Sequence, residues 1–140
     1  MTTIDEALAL FLTQMDADGR SSHSQAQVRR HVLLLARWLA ARGASNDIAT
    51  ITPDAIARFL SAPIARETRD GRPKRASSMN ALRTSVRCFG RFIHDAGLVS
   101  ANPARLVRRA RSAPPPPKPI SEADAQRLLD CMASERTPAA

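Results

Sequence analysis

The 140-residue chain contains no tyrosine, and its aromatic residues are four Phe and one Trp, so its core must be built mainly from Leu, Val, Ile and Ala. Its two cysteines, Cys88 and Cys131, form no C-x-x-C pair, and the three histidines (His23, His31, His94) are scattered. That spacing suits no zinc site, and neither a metal nor a cofactor is expected. Cys88 falls within an apolar helical stretch and is expected to be a buried free thiol. No apolar run approaches the ~20 residues of a membrane span. The opening MTTIDEALALF is acidic ahead of its apolar residues and lacks a basic n-region, which argues against a signal peptide. These absences predict a cytoplasmic protein with no membrane partner and no small-molecule substrate.

Lysine is also scarce, at positions 74 and 118 alone, so the basic side chains are almost all Arg, whose planar fork suits phosphate oxygens and guanine edges. The formal net charge is +8, and it is concentrated. Residues 63–112 carry twelve Lys or Arg against three acids; residues 1–62 carry six of each sign, and residues 113–140 three bases and four acids. A field that localised attracts a polyanion, because neutralising phosphates releases condensed counterions. Nucleic acid is therefore the leading partner; the plain alternative is a solvated charge run or a disordered tail. With 44% apolar and 24% charged residues, the composition is that of a globular domain.

Helical periodicity dominates, and no stretch alternates as a strand would. A first helix is predicted from about Ile4 to Asp16, with Ile4, Leu8, Phe11, Leu12 and Met15 inward and Asp5 and Glu6 in the first turn, where the helix dipole favours acids. A second begins near Ser22 or Ser24 and ends at Gly43, with Val28, Val32, Leu35, Trp38 and Leu39 on its apolar stripe and Arg29, Arg30 and Arg37 off it. Thr52-Pro53 opens a third, which turns Ile56, Phe59 and Leu60 inward and stops before Pro63. The stretch 66–76 (RETRDGRPKRA) lacks periodicity and is expected to be a mobile loop. Ser77 or Ser78 is expected to cap a fourth helix that reaches His94 and ends at Gly97. Its apolar side is Met79, Leu82, Val86, Phe89, Ile93 and Ala96; Asn80, Arg83, Thr84, Arg87 and Arg91 are placed opposite, with no compensating Glu at i, i+4 spacing. A turn over 98–104 leads to a short basic segment, 105–111. PPPPKP at 114–119 is a stiff connector and marks a domain boundary. Ser121 with Asp124 starts a last helix carrying Ala125, Leu128 and Leu129. Two domains follow: 1–112, and 113–140 as linker and isolated helix.

The order of these elements resembles the N-terminal core-binding domain of the tyrosine recombinases, the phage integrases and Xer-type enzymes. The resemblance is carried by Ser24-x3-Val28-x3-Val32-x2-Leu35-x2-Trp38-Leu39-x3-Gly43, by Ile51-Thr52-x3-Ile56-x2-Phe59-Leu60, by Gly97-Leu98-x3-Asn102-Pro103, and by Pro119-Ile120-Ser121-x2-Asp124-x3-Leu128-Leu129. Val28 stands where the family commonly has an aromatic. The resemblance covers almost the whole chain. It implies an all-α, four-to-five-helix orthogonal bundle of SAM-like type, followed by the Pro-rich linker and the first helix of a truncated catalytic domain.

In that family the domain is one half of a clamp around double-stranded DNA, supporting integration and recombination, with other protomers on adjacent half-sites. Its second and fourth helices face the duplex and its linker tracks the backbone. The resemblance thus implies DNA contacts from Ser24, Gln27 and Arg30 on the second helix. It implies others from Lys74, Arg75, Ser77, Asn80, Arg83, Thr84, Arg87 and Arg91 at and along the fourth, and from Arg108, Arg109, Arg111 and Lys118 on the linker. His31 and His94 are expected to be packing or surface residues, and Trp38 to be core. No catalytic residue is expected, since covalent strand cleavage needs a phenolic oxygen and the chain has no Tyr. Two alternatives are a free-standing, non-catalytic competitor or regulator at the same DNA sites and a helical protein-interaction module.

Overall fold

The computed structural model describes residues 2–108, and these are all-helical, with no strand. Helix α1 spans Ile4–Ala17, opened by Thr3, whose hydroxyl accepts from the Glu6 N–H at 3.1 Å. It buries Ile4, Ala7, Leu8, Phe11 and Met15, the stripe its periodicity predicts, with Leu12 only half-buried. Helix α2 spans Ser22–Ala41, and its N-cap is Ser21, one residue ahead of the expected start. The Ser21 hydroxyl accepts from the Ser24 N–H at 3.1 Å and lies 3.0 Å from the Ser24 hydroxyl. Gly43, at φ +79°, follows the helix end in the left-handed conformation that glycine adopts most easily.

A single 3-10 turn, Ile48–Thr50, precedes α3, Pro53–Ser61, where Thr52 caps the Ala55 N–H and Pro53 sits at the first helical position. Helix α4 is one turn, Pro63–Arg66, which the sequence reading placed partly in a loop. The loop itself departs from expectation. Residues 66–74 close as a small antiparallel hairpin, with Thr68 N–H donating to the Arg72 carbonyl and Lys74 N–H to the Arg66 carbonyl, both at 2.7 Å, around a Glu67–Pro73 bridge. A single bridge is too short to show strand periodicity, which is why the segment looks irregular in sequence.

Helix α5 spans Ala76–Asp95 and is the fourth helix of the sequence reading. Its N-cap is Arg75, without a side-chain hydrogen bond, so Ser77 and Ser78 lie inside the first turn instead of capping it. The hairpin explains the shift, because its closing bond at Lys74 delivers the chain directly into the helix. Helices α2 and α5 form the most extensive pairing, and α1 packs across both.

The core gathers Phe59, Phe89, Leu35, Leu82, Ile56 and Ile93, each almost wholly buried. Phe11 stacks on Phe92 at 4.9 Å between ring centroids, and Trp38 tilts against Phe59 at 5.7 Å. Trp38 is half-buried, with the Arg42 guanidinium 4.6 Å over its ring, so its outer side is covered by a cation.

Two assignments on α5 are corrected. Cys88 is exposed, and so is Ala96, which lies just past the helix end. At 100° per residue Cys88 falls away from the stripe defined by Leu82, Val86, Phe89 and Ile93, although its neighbours in sequence are apolar. The polyproline segment, the helix expected after Ser121, Cys131, and the linker cations Arg109, Arg111 and Lys118 lie outside the described residues.

Candidate nucleic-acid interface

Five of the expected contact residues line two adjoining surfaces, and the other described ones line neither. The first is a cleft of about 350 Å³ between the start of α2 and the middle of α5, bordered by the end of α1. Ser24 and Gln27 line it from α2, Ala81, Thr84, Ser85 and Cys88 from α5, and Asp18 and Arg20 close the α1 side. The second is a groove of about 730 Å³ between the outer ridge of α2 and the α4–hairpin segment. Arg29, Arg30, Arg37, Arg69 and Lys74 line it, with Leu33, Leu34 and Ile64 between them and Glu67 as its acid.

His31 stands where α2 meets α5: its Nδ1 is 2.7 Å from the Ser85 hydroxyl. Burial, then Arg30 and then Lys74, lower its pKa from 6.5 to about 4. Lys74 is lowered in turn by burial and by Arg30. Burial is the larger cause in both, and beside it the Arg30 and Lys74 charges repel each other, a field that an anion would relieve. His31 thus fills the packing role expected of it, and it makes stability pH-dependent. Its folded pKa lies below its unfolded one, so the contribution is complete above pH 6.5 and is lost as pH falls from 6.5 toward 4. After discounting for the solvent-screened part of the ring, the loss is about 1–2 kcal/mol. Denaturation midpoints at about pH 7 and about pH 4.5 are expected to differ more for the wild-type chain than for His31→Gln. Equal differences would remove His31 from the account.

Among the described residues the carboxylate pairs are few. Arg58 pairs with Asp54 at 2.8 Å, and Arg91 with Asp95 at 3.4 Å, with His94 on the other Asp95 oxygen at 3.6 Å. The Arg91 pair corrects the expectation of an uncompensated α5 face, since Asp95 supplies an acid at i, i+4. Arg20, Arg29, Arg30, Arg37, Lys74 and Arg87 have no such partner among the described residues.

The polar side of α5 is narrower than expected. Asn80, Arg83 and Thr84 are half-buried, while Arg87 and Arg91 are exposed. Arg83 Nη1 donates to Asn80 Oδ1 at 3.3 Å. Arg83 shares a flank with Gly90, seven residues on, and stands apart from the cleft that Thr84 lines. Arg75 and Ser77 are exposed at the start of α5, and Arg108 is exposed beyond the turn after the helix. So the structure brings Ser24, Gln27 and Thr84 together, and separately Arg30 and Lys74. Arg20, Arg29, Arg37, Arg69 and Cys88 join these surfaces without having been singled out. The available signal for Arg29 and Arg37 was their place off the α2 stripe; for Cys88 it was the i+4 step from Thr84.

Among the described residues no helix is long and apolar enough to cross a membrane, and no group of three or more His, Cys, Asp or Glu side chains is placed to hold a metal ion. No family model and no solved structure matches the chain. Over 112 residues, 80% of its length, the chain is 35% identical to the tyrosine recombinase XerD of Ralstonia nicotianae, and the match covers 33% of that protein. That similarity supports a relationship to the tyrosine recombinases, of which this chain spans about a third of one member's length.

Proposed function

We propose that the chain is the core-binding, duplex-DNA-holding part of a tyrosine recombinase, working in integration or recombination beside other protomers on adjacent half-sites. The observation that carries this reading is the Arg30–Lys74 cluster, which makes no ion pair with a carboxylate among the described residues and lines the groove beside the α2/α5 cleft. In this reading α2 and α5 enter the major groove with the cleft toward base edges. Arg30, Lys74 and Arg87 take phosphates on either side, which sets register without reading sequence. The chain has no tyrosine, so a phosphotyrosyl bond in such a recombinase is formed elsewhere than in these residues.

Fluorescence anisotropy with a labelled duplex tests the reading. The logarithm of affinity is expected to fall linearly with the logarithm of salt concentration, by about 0.9 for each phosphate contacted; a flat response would overturn it. Arg87→Ala is expected to cost about tenfold in affinity, the size of one charge-assisted hydrogen bond. Arg42→Ala, whose guanidinium lies on Trp38, should have far less effect. Arg91→Ala is expected to fall between them because Asp95 already offsets its charge.

A further inference from the structure

The α2/α5 cleft differs chemically from the cationic groove beside it. Thr84 is half-buried and lines the cleft, yet its Oγ1 is buried and has no hydrogen-bond partner. What Thr84 leaves accessible is therefore carbon surface, its γ-methyl included, and not its hydroxyl. Ala81 and Cys88, at i−3 and i+4 from it, share its side of the helix and line the same cleft. Together the three make a strip of methyl and thiol surface.

Across the strip stand Ser24 and Gln27. The Ser24 oxygen accepts from the Ser21 hydroxyl, which leaves Ser24 a single short O–H donor, while the Gln27 amide offers both a donor and an acceptor to a ligand. A primary amide facing a methyl-lined strip matches one base pair in the major groove. Adenine offers an N7 acceptor and an N6 donor, which a Gln satisfies with two hydrogen bonds, and its thymine partner projects a C5-methyl that favours apolar contact. Guanine would call for Arg or Lys; the cation lining this cleft, Arg20, stands at its α1 border and on neither α2 nor α5, the helices that face the bases in this reading.

Resting on the duplex-binding reading above, we infer that the cleft selects A·T pairs: Gln27 takes the adenine edge, while Ala81, Thr84 and Cys88 receive the thymine methyl. The charged groove then supplies affinity and the cleft supplies preference.

Three duplexes serve as probes: alternating dA-dT, the same duplex with dU in place of dT, and alternating dG-dC, each competed against a labelled random duplex at one salt concentration. Wild type is expected to prefer dA-dT over dA-dU by about fourfold, the equilibrium effect of burying one methyl group, and to bind dG-dC more weakly than either. Thr84→Ser removes the methyl and keeps the hydroxyl, so the dT-over-dU preference should fall toward one. Thr84→Val keeps the methyl and should retain it. Gln27→Ala should weaken both adenine-containing duplexes and leave dG-dC unchanged. Equal binding of the three duplexes by wild type, or a preference unaltered in Thr84→Ser, overturns the inference while duplex binding stands. Salt-independent or absent binding to all three overturns both.

Discussion

Reversing Arg30 and Lys74 together to Glu is expected to lower duplex affinity by about 100-fold or more. Two charge-assisted phosphate contacts at about 1.5–3 kcal/mol each set the lower bound, and two new carboxylates add repulsion. The salt slope should fall by about 1.8, because two phosphates no longer release counterions. The variant should still fold. Arg30 is exposed and Lys74 only half-buried, and neither pairs with a carboxylate among the described residues. Removing the two positive charges that bear on His31 should also raise its pKa, so the acid loss of stability, which still begins near pH 6.5, should be smaller and end at a higher pH than in wild type. Anisotropy titrations at several salt concentrations measure the first effect and pH-dependent melts the second. Unchanged affinity in a folded double variant would discard the surface assigned to phosphates.

Gly90→Ala is expected to destabilise the fold by about 2 kcal/mol. In an ordinary helix interior this change gains about 1 kcal/mol. Here a Cβ at position 90 would lie 2.5 Å from the Ala104 Cβ, 3.0 Å from Asn102 Oδ1 and 3.1 Å from the Ala104 nitrogen. Two of these atoms belong to Ala104 and have no rotatable side chain to swing away, and the third, Asn102 Oδ1, is tied to the Ala104 N–H. Ala104 is 3% exposed, and its N–H is held by Asn102 Oδ1 at 2.9 Å, so the turn cannot yield without losing that bond. Overpacking of this kind costs about 1–3 kcal/mol, and the rigidity of the contact places it at or above the upper end. Chemical denaturation of Gly90→Ala, of Ala104→Gly and of the double variant checks the mechanism. The double variant should recover much of the loss, since removing the Ala104 Cβ opens the space. A Gly90→Ala chain as stable as wild type would show that the turn is not clamped. The turn leads into Arg105 and Arg108, so the same variant, if folded, should also weaken duplex binding by displacing the start of the basic segment.

Much of the helical framework is legible in the sequence because each helix buries one stripe at its own period. Ile4, Leu8, Phe11 and Met15, or Leu82, Val86, Phe89 and Ile93, declare their faces without reference to anything distant. Caps are local too: Thr52 followed by Pro53 names a helix start, and a positive-φ glycine follows the ends of α1, α2 and α5. Where a distant contact competes, the local signal misleads. Ser77 and Ser78 are good capping residues, but the hairpin bond from Lys74 to Arg66 starts the helix ahead of them. Asn102-Pro103 is recognisable as a turn, yet nothing in those letters says that it rests against Gly90.

The candidate interface shows the same division. That basic residues cluster between positions 63 and 112, that α2 and α5 each have a polar side, and that no tyrosine is present are properties of the chain as written. A helix drawn alone has two sides, whereas α5 in the bundle has α2 on one flank and the 102–104 turn on another. That is why Asn80, Arg83 and Thr84 are half-buried, why Arg83 stands apart from Thr84, and why Cys88 is exposed beside the cleft. The sequence by itself determined charge, helicity and the stripes, because these depend on residues within a few turns of one another. Only the tertiary structure decided that Gln27 faces a methyl-lined strip, that the Thr84 hydroxyl is buried, and that Arg30 and Lys74 share one field. Each of those depends on the distance between residues far apart in the chain, and only the packing of α2 against α5 and the hairpin sets that distance.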